Sequence, residues 1–221
     1  MSIRQLVKKN YILYSLLTKI LNLYRRYISL YFRDNIVVNL GYGKLFRDII
    51  GSGNYVEVGK NTYLNKSKIR IRGNNNRIIF YSDCYIGPDC SFWLEGNNVS
   101  IIIGSNTSFT RCVHFCAQEN NMSIEVGTDC MFSNNIIVRT SDSHPIYVNQ
   151  KRINYPKPVK VGNHVWIAPN SVIMKGANIG DGSIVGSNTM VNKDVPQNSL
   201  VVGYPARIVK EDVSWTRESL F

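Results

Sequence analysis

The sequence predicts an all-β solenoid, a parallel β-helix with three short strands in each turn. Six aliphatic residues recur at every sixth position without a break: Val161, Ile167, Ile173, Ile179, Val185 and Val191. A small or short side chain lies four positions after each of them: Val165, Ser171, Ala177, Ser183, Thr189 and Val195. A period of six belongs neither to an α-helix nor to a lone strand. It is typical of a three-sided β-helix, in which each strand sends one aliphatic side chain into the core.

A looser form of the same repeat extends towards the N-terminus. Asn-rich segments followed by β-rich runs recur every 21 to 23 residues, beginning at Gly53, Asn75, Asn97 and Asn120. Asparagine tolerates the left-handed backbone conformation that a sharp corner needs. The six-residue step persists inside these segments, as in Val126, Phe132 and Val138. Residues 36–206 are therefore expected to form one continuous β-helix domain.

The repeat breaks at His144. Continuing the series from Val138, position 144 should hold a core aliphatic residue, but it holds a histidine followed by Pro145. The aliphatic pattern resumes only at Val161, so residues 145–160 form a basic excursion that carries Pro and Tyr. Loops that leave a rigid scaffold often carry function, and the break is therefore where we expect the chemistry.

The two ends of the chain differ from the repeat. Residues 1–35 are predicted to form a basic amphipathic helical segment, because residues 1–33 hold seven Lys or Arg and no acidic residue in a chain of net charge +11. No apolar run there approaches the about 20 residues that span a bilayer. Two interpretations stay open: docking on an anionic inner membrane surface, or packing on the solenoid end or a neighbouring subunit. No nucleic-acid recognition motif accompanies the charge. Residues 207–221 are expected to form a short closing helix anchored by Trp215 and Phe221.

The cysteines indicate a reduced, cytoplasmic chain. There are five of them, an odd number, and none forms a Cys-x-x-Cys pair, which favours free thiols over disulfides. Cys90 and Cys130 lie four residues after Ile86 and Val126. Both cysteines are therefore expected to fill small-residue slots of the core rather than to take part in catalysis.

Three segments together resemble the left-handed β-helix acyltransferases with hexapeptide repeats. They are Ser141-Asp142-Ser143-His144-Pro145, Val161-Gly162-Asn163-His164-Val165-Trp166-Ile167-Ala168 and Val201-Val202-Gly203-Tyr204-Pro205-Ala206-Arg207. Within that family the run at 139–144 is most similar to the O-acetyltransferases of bacterial capsule, sialic-acid and O-antigen sugars. The resemblance covers about residues 50–210. It implies a left-handed helix, a homotrimer, and transfer of an acetyl group from acetyl-CoA to a hydroxyl of a surface polysaccharide.

The resemblance also assigns roles to the site. His144 matches the general base, since neutral imidazole can take the proton of an attacking sugar hydroxyl. Asp142 or a backbone carbonyl is expected to hold its other ring nitrogen. Trp166 is expected to line the site or to donate its indole N–H to the oxyanion. His114 and His164 are candidates for contacts with the acceptor.

The acyl donor is expected to lie between adjacent solenoids along the C-terminal turns. The positions that match the family there are Ala168, Gly186, Ser187, Asn192, Lys193 and Arg207. Of these, Lys193 and Arg207 are the natural partners of the CoA phosphates. In the excursion, Tyr147, Lys151 and Arg152 are expected to contact the sugar acceptor. No metal is expected, because the three histidines are 30 and 20 residues apart and lack the close pair of zinc-binding solenoids.

Two rival functions stay open at this point. One is an N-acetyltransferase of a nucleotide-linked amino sugar, or another small-molecule acetyltransferase. The other is a non-catalytic solenoid that docks on a membrane. The favoured prediction is a cytoplasmic O-acetyltransferase, with peripheral contact to the inner face of the cytoplasmic membrane as an open possibility.

Overall fold

The computed structural model describes residues 15–17, 19–20, 23 and 35–220. The described residues before position 35 are α-helical, as expected of that segment. The rest of the predicted segment 1–35 and the predicted anchor Phe221 lie outside the described residues. Among the residues described, no helix is both long and apolar enough to cross a bilayer.

From Asn35 to Lys210 the chain forms short strands joined by sharp corners. The strands are β1 (Asn35–Asn39), β2 (Tyr42–Ile50), β3 (Asn54–Val58), β4 (Tyr63–Arg72), β5 (Arg77–Phe80), β6 (Tyr85–Ile86), β7 (Ser91–Glu95), β8 (Ser100–Ile103), β9 (Ser108–Gln118), β10 (Ser123–Val126), β11 (Met131–Arg139), β12 (Tyr147–Val148), β13 (Lys151–Arg152), β14 (Val159–Val161), β15 (Trp166–Ile167), β16 (Val172–Ile173), β17 (Asn178–Ile179), β18 (Ile184–Val185), β19 (Met190–Val191), β20 (Leu200–Val202) and β21 (Arg207–Lys210).

Each turn of the solenoid passes through three faces. The first face is a seven-stranded parallel sheet in the order β1-β3-β5-β8-β10-β14-β17. The second face carries β6, β15, β18 and β20, and the third carries β7, β16 and β19. The long strands β2, β4, β9 and β11 bend from the second face to the third, so β11 pairs with both β15 and β16. The predicted parallel β-helix is confirmed.

The six-residue repeat fills the core as predicted. The six aliphatic residues that begin the repeats are at most 1% exposed: Val161, Ile167, Ile173, Ile179, Val185 and Val191. Towards the N-terminus buried phenylalanines take over this role, and the rings of Phe109 and Phe132 stack with centroids 4.7 Å apart. Cys90 and Cys130 are both fully buried, which confirms that they occupy small core slots.

Asparagine makes the corner between the third and first faces. Asn75, Asn98 and Asn121 all adopt left-handed backbone conformations, with φ between 57° and 62°. Neighbouring turns are joined there by side chains, since the Asn97 Oδ1 accepts the Asn74 N–H at 2.8 Å. The corner conformation inferred from the Asn-rich segments is therefore confirmed.

The predicted C-terminal helix is wrong. Arg207–Lys210 form β21, which pairs antiparallel with β20, and none of residues 211–220 is helical. Without β21 the last turn would end in an open strand edge, and Arg207, Ile208 and Lys210 pair with that edge. Pairing across the edge satisfies backbone groups that a separate helix would leave open.

Residues 211–220, which we call the tail strap, run back along the solenoid. The Val213 N–H donates to the Asn198 carbonyl at 2.9 Å. The Arg217 guanidinium donates to Asp129 at 2.8 Å, three turns before the turn of Asn198, and to Ser108 at 2.9 Å. Trp215 is 8% exposed, so its predicted role as a packing anchor is confirmed, although in an extended strap and not in a helix.

Candidate active site

His144 lies at the corner between the third and first faces, where the chain leaves the solenoid after β11. The following residues form the β12–β13 hairpin, which stands apart from both large sheets, and the solenoid resumes at β14. The excursion predicted for residues 145–160 is therefore present. The His144 side chain is exposed, and no described residue forms a hydrogen bond with its imidazole.

The backbone around His144 is held closely even though its ring is free. Ser143, immediately before it, has a φ of 69°, an uncommon conformation for a residue other than glycine. The Ser143 hydroxyl donates to the Gln118 Oε1 at 2.7 Å and accepts from the Arg139 guanidinium at 2.8 Å. The Asn154 amide donates to the His144 carbonyl at 2.8 Å. The main chain from which the imidazole departs is therefore held in place.

Asp142 does not contact the imidazole of His144. Its Oδ2 accepts a hydrogen bond from the Lys175 ammonium at 2.5 Å and one from the Asn154 amide at 2.9 Å. The Lys175 bond is the main reason why the pKa of the Asp142 carboxyl lies below its usual value. The expectation that Asp142 holds the His144 ring is therefore corrected, because the carboxylate is occupied beneath the turn.

The hairpin is anchored to the solenoid through Arg152. The Arg152 guanidinium donates to the Glu119 Oε1 at 2.7 Å, and the Ser141 hydroxyl donates to the same oxygen at 2.7 Å. This pairing with Arg152 lowers the pKa of Glu119. The guanidinium is thus engaged in holding the loop. The other two predicted acceptor contacts, Tyr147 and Lys151, are exposed on the hairpin.

His114 lies on the third face, one turn below the strand that leads to His144. Its Nδ1 is 2.8 Å from the Ser91 hydroxyl, and its ring meets the edge of Trp93 with centroids 4.8 Å apart. Burial, assisted by the positive charge of Arg139, lowers the pKa of His114. His114 is therefore a neutral, half-buried group on the side of the solenoid from which the His144 loop departs.

His164 contacts the tail strap at the corner between the first and second faces, which is not the corner that carries the His144 loop. Its Nδ1 is 2.7 Å from the Asp129 carboxylate and its Nε2 is 3.0 Å from the Trp215 carbonyl. The His164 imidazole and the Trp215 indole stack with centroids 4.1 Å apart and an interplanar angle of 5°. Both ring nitrogens are therefore used, which gives His164 a structural role and removes the basis for expecting it to contact the acceptor.

Trp166 lies on the second face, in β15. The corner that carries His144 joins the other two faces, so the two side chains project from opposite sides of the same solenoid. The Trp166 indole N–H is buried and has no hydrogen-bond partner among the described residues. Its ring centroid is 6.2 Å from that of Trp215. Within one chain, the structure does not bring Trp166 to the His144 site.

The residues predicted to bind the acyl donor divide between the two corners that flank the third face. The corner between the second and third faces carries Ala168, Gly186 and Ser187, with Arg207 beside them in β21. The corner between the third and first faces carries Asn192 and Lys193, and it is also the corner of His144. The amides of Ala168 and Gly186 donate to Val185 and Val201. Their backbone donors are thus used inside the solenoid, whereas Ser187, Lys193 and Arg207 are exposed.

Two residues of this region, Asn154 and Lys175, were not identified from the sequence. Asn154 is an ordinary loop residue in an irregular segment, and no spacing marks it. Lys175 had a usable signal. It lies two residues after Ile173, which pairs in register with Val138, so superposing the turns places Lys175 above the start of the His144 loop.

Thiol chemistry and metal binding find little support in the described part of the chain. All five cysteines are free, and burial raises the pKa of Cys90 to about 11 and that of Cys130 to about 12. No group of three or more His, Cys, Asp or Glu is placed to hold a metal ion among the residues described.

Comparison with known proteins agrees with the fold. The family described as "Bacterial transferase hexapeptide (six repeats)" matches residues 158–193. A polysialic acid O-acetyltransferase of Neisseria meningitidis is 35% identical over 180 residues, which is 77% of this chain and 79% of the relative. One of Escherichia coli O1:K1 is 37% identical over 90 residues, which is 40% of this chain and only 29% of the relative.

Two solved structures have the same architecture. The polysialic acid O-acetyltransferase OatWY superposes with a TM-score of 0.72 at 30% identity, covering 83% of this chain and 92% of that one. The polySia-specific acetyltransferase NeuO gives a TM-score of 0.59 at 28% identity, covering 85% of this chain and 91% of that one. The chain belongs to the hexapeptide-repeat acetyltransferases and is an enzyme of that class.

Proposed function

We propose that the protein transfers an acetyl group from acetyl-CoA to a hydroxyl of a bacterial surface polysaccharide, with His144 as the general base. The observation that carries the proposal is the state of His144: its imidazole is exposed and without a described partner, on a turn whose backbone is firmly held. The names of the two structural relatives, both acetyltransferases of polysialic acid, support a polysaccharide acceptor.

The proposed reaction needs one proton transfer in each direction. The His144 imidazole takes the proton of the sugar hydroxyl as its oxygen attacks the thioester carbonyl. The tetrahedral intermediate then collapses, the carbon–sulfur bond breaks, and the imidazolium returns the proton to the departing thiolate. The products are the sugar acetate ester and free CoA. The residues of this chain that fit the negatively charged part of the donor are the exposed cations Lys193 and Arg207.

We propose that the working unit is a homotrimer in which a neighbouring subunit supplies Trp166 to the His144 site. Two features support this. Trp166 is only half-buried on the outer side of the second face, and Trp166 and His144 lie on opposite sides of one solenoid. Packing three solenoids around a common axis can place the second face of one beside the corner of the next. Size measurement in solution should then give three times the 25.1 kDa of one chain.

The activity is tested by thiol release from acetyl-CoA with three acceptors: polysialic acid, a neutral polysaccharide and a nucleotide-linked amino sugar. We expect turnover with polymer and loss of about 10²-fold or more in His144→Ala, since general bases contribute about 10²–10⁴-fold. Circular dichroism and size-exclusion chromatography check that the variant keeps its fold and assembly. Full activity in His144→Ala would refute the role of His144 as the general base. Turnover of the nucleotide-linked amino sugar alone would favour an N-acetyltransferase.

The shared site is tested by mixing two inactive variants. Trimers assembled at random from His144→Ala and Trp166→Ala chains contain interfaces at which both wild-type residues meet. If each site uses His144 of one subunit and Trp166 of the next, about a quarter of the sites regain both groups. Recovery of activity to about that fraction supports the arrangement. A mixture as inactive as the separate variants contradicts it.

We also propose that the N-terminal segment contacts an anionic membrane surface from the cytoplasmic side. The helical residues Leu16, Ile20 and Leu23 are spaced on one side of a helix and are 54%, 54% and 58% exposed, next to the basic residues of this region. Flotation with vesicles of anionic lipid should carry the protein, whereas zwitterionic vesicles should not. Flotation with neither kind of vesicle would contradict the proposal and favour packing on another part of the trimer.

A further inference from the structure

We propose that Asn154 is a positioning residue that fixes the main chain on both sides of His144 and so aims its imidazole. The inference rests on the proposed role of His144 as the base. It assigns to Asn154 no contact with substrate. The sequence marks this residue only as part of a loop, and its role follows from the three residues of the turn that its side-chain amide joins. A fourth partner, Arg152, donates its Nε–H to the Asn154 Oδ1 at 3.5 Å.

The amide of Asn154 joins three alternate residues of the turn. Its Nδ2 donates to the Asp142 Oδ2 at 2.9 Å and to the His144 carbonyl at 2.8 Å, while its Oδ1 accepts the Ile146 N–H at 2.7 Å. The residue is 7% exposed. A carboxamide has two donor hydrogens on one end and an acceptor on the other, and here both ends are used. The turn that carries His144 is therefore wrapped around this one side chain.

The turn needs such an external clamp. Pro145 follows His144 and has no N–H, so the turn lacks one of its own backbone donors. Ser143 precedes it in a left-handed conformation, with φ of 69°, which a residue other than glycine adopts only when its surroundings hold it there. The imidazole has no side-chain partner among the described residues. The main chain that Asn154 holds is therefore what fixes the point from which the imidazole departs.

The orientation of the Asn154 amide is itself fixed by a charged pair. Asp142 can only accept a hydrogen bond when ionised, so it must face the NH₂ end of the amide and not the oxygen. Asp142 is held in turn by Lys175, 2.5 Å away, which belongs to the corner of the next turn of the rigid solenoid. A chain of contacts thus runs from Lys175 through Asp142 and Asn154 to the main chain of His144.

The substitution Asn154→Asp is the sharpest test. Asn154→Asp keeps the size and shape of the side chain, but it removes both donors and sets a second carboxylate against Asp142. A misplacement of about 1 Å costs about 10²-fold in rate, so we expect kcat to fall about 10- to 100-fold while KM for acetyl-CoA changes less than threefold. Asn149→Asp, the same substitution at the exposed tip of the same hairpin, should keep wild-type kcat.

A readout independent of activity separates positioning from general damage. The chain has three histidines, so the imidazole region of an NMR spectrum holds three ring systems, assigned by single His→Gln variants. Asn154→Asp should shift or broaden the His144 signals and leave those of His114 and His164 in place, and Asn149→Asp should change none of the three. In a His144→Ala background, Asn154→Asp should cause no further loss of residual transfer.

The outcomes are distinct. Wild-type kcat in Asn154→Asp, an unchanged His144 signal, or equal movement of all three histidine signals would overturn the inference. If Asn154→Asp does not assemble, Asp142→Asn takes its place: it removes the charge that orients the amide and should move the His144 signals alone, with a smaller loss of kcat. If His144→Ala proves fully active, the proposed base fails, while the NMR comparison still decides whether Asn154 holds the turn.

Discussion

Replacement of Trp215 by alanine should release the tail strap from the solenoid. The indole is 8% exposed and stacks on His164 at 4.1 Å. Its Nε1 also donates to the His164 carbonyl at 2.9 Å. These contacts fix the middle of the strap, between the bonds of Val213 on one side and those of Arg217 on the other.

The size of the effect follows from what the indole contributes. Truncation of a buried Trp to Ala costs about 3–5 kcal/mol, of which the hydrogen bond accounts for about 1 kcal/mol and the ring stacking for about 1 kcal/mol. The total is capped by the free energy with which the strap docks, because nothing more is lost once the strap has detached. A loss of about 3 kcal/mol corresponds to a fall in Tm of about 6–12 °C for a chain of this length.

The assay combines thermal unfolding with limited trypsin digestion. We expect Trp215→Ala to lower Tm and to expose the bonds after Lys210 and Arg217 to rapid cleavage. Trp215→Phe is the matched control: it keeps an aromatic ring and loses mainly the hydrogen bond, so it should cost about 1–2 kcal/mol. A wild-type Tm and wild-type resistance to trypsin in Trp215→Ala would refute the role of the strap.

Two further predictions concern charge and thiols. Lys175 lowers the pKa of Asp142 below its usual 3.8, so the pair stabilises the fold fully above pH 3.8 and loses its contribution as the pH falls through the lowered value. Lys175→Met should therefore lower the free energy of unfolding by about 1–3 kcal/mol at neutral pH and leave it unchanged in strong acid. Urea unfolding measures this, and a difference in midpoint between the variant and the wild type that persists in strong acid would contradict the prediction. Burial raises the pKa of Cys116 to about 11 and that of Cys130 to about 12. Ellman's reagent should therefore label only the half-exposed Cys112 until the protein unfolds. Rapid labelling of a second cysteine in the native protein would contradict this prediction.

The sequence predicts the structure best where the structure repeats. Each turn repeats the same inward position, so the aliphatic spacing predicts the core and the break at His144 predicts where the chain leaves it. The same spacing puts Trp166 at an outward position, because it precedes the buried Ile167 by one residue. The spacing does not say which neighbour an outward side chain meets, and the expectation that Trp166 lines the His144 site rests on the family resemblance alone.

The contacts of the loop follow no period and were not predicted. Asn154 and Asp142 meet because the hairpin folds back on itself, and Lys175 joins them from another turn. The prediction for Arg152 considered its charge and not its nearest carboxylate, Glu119. The C-terminal error has a related cause: the pattern of residues 207–221 is compatible with a helix, but the open edge of β20 favours a strand.

The antiparallel strand β21 has a consequence for self-association. A parallel solenoid that ended at β20 would present a row of unpaired backbone groups, onto which a second molecule could stack its own turns and so extend into a filament. The four residues of β21 cover that row and run in the opposite direction, so a further parallel turn finds no matching edge. At this end of the molecule, parallel stacking of a second copy on the second face is therefore blocked by the chain itself.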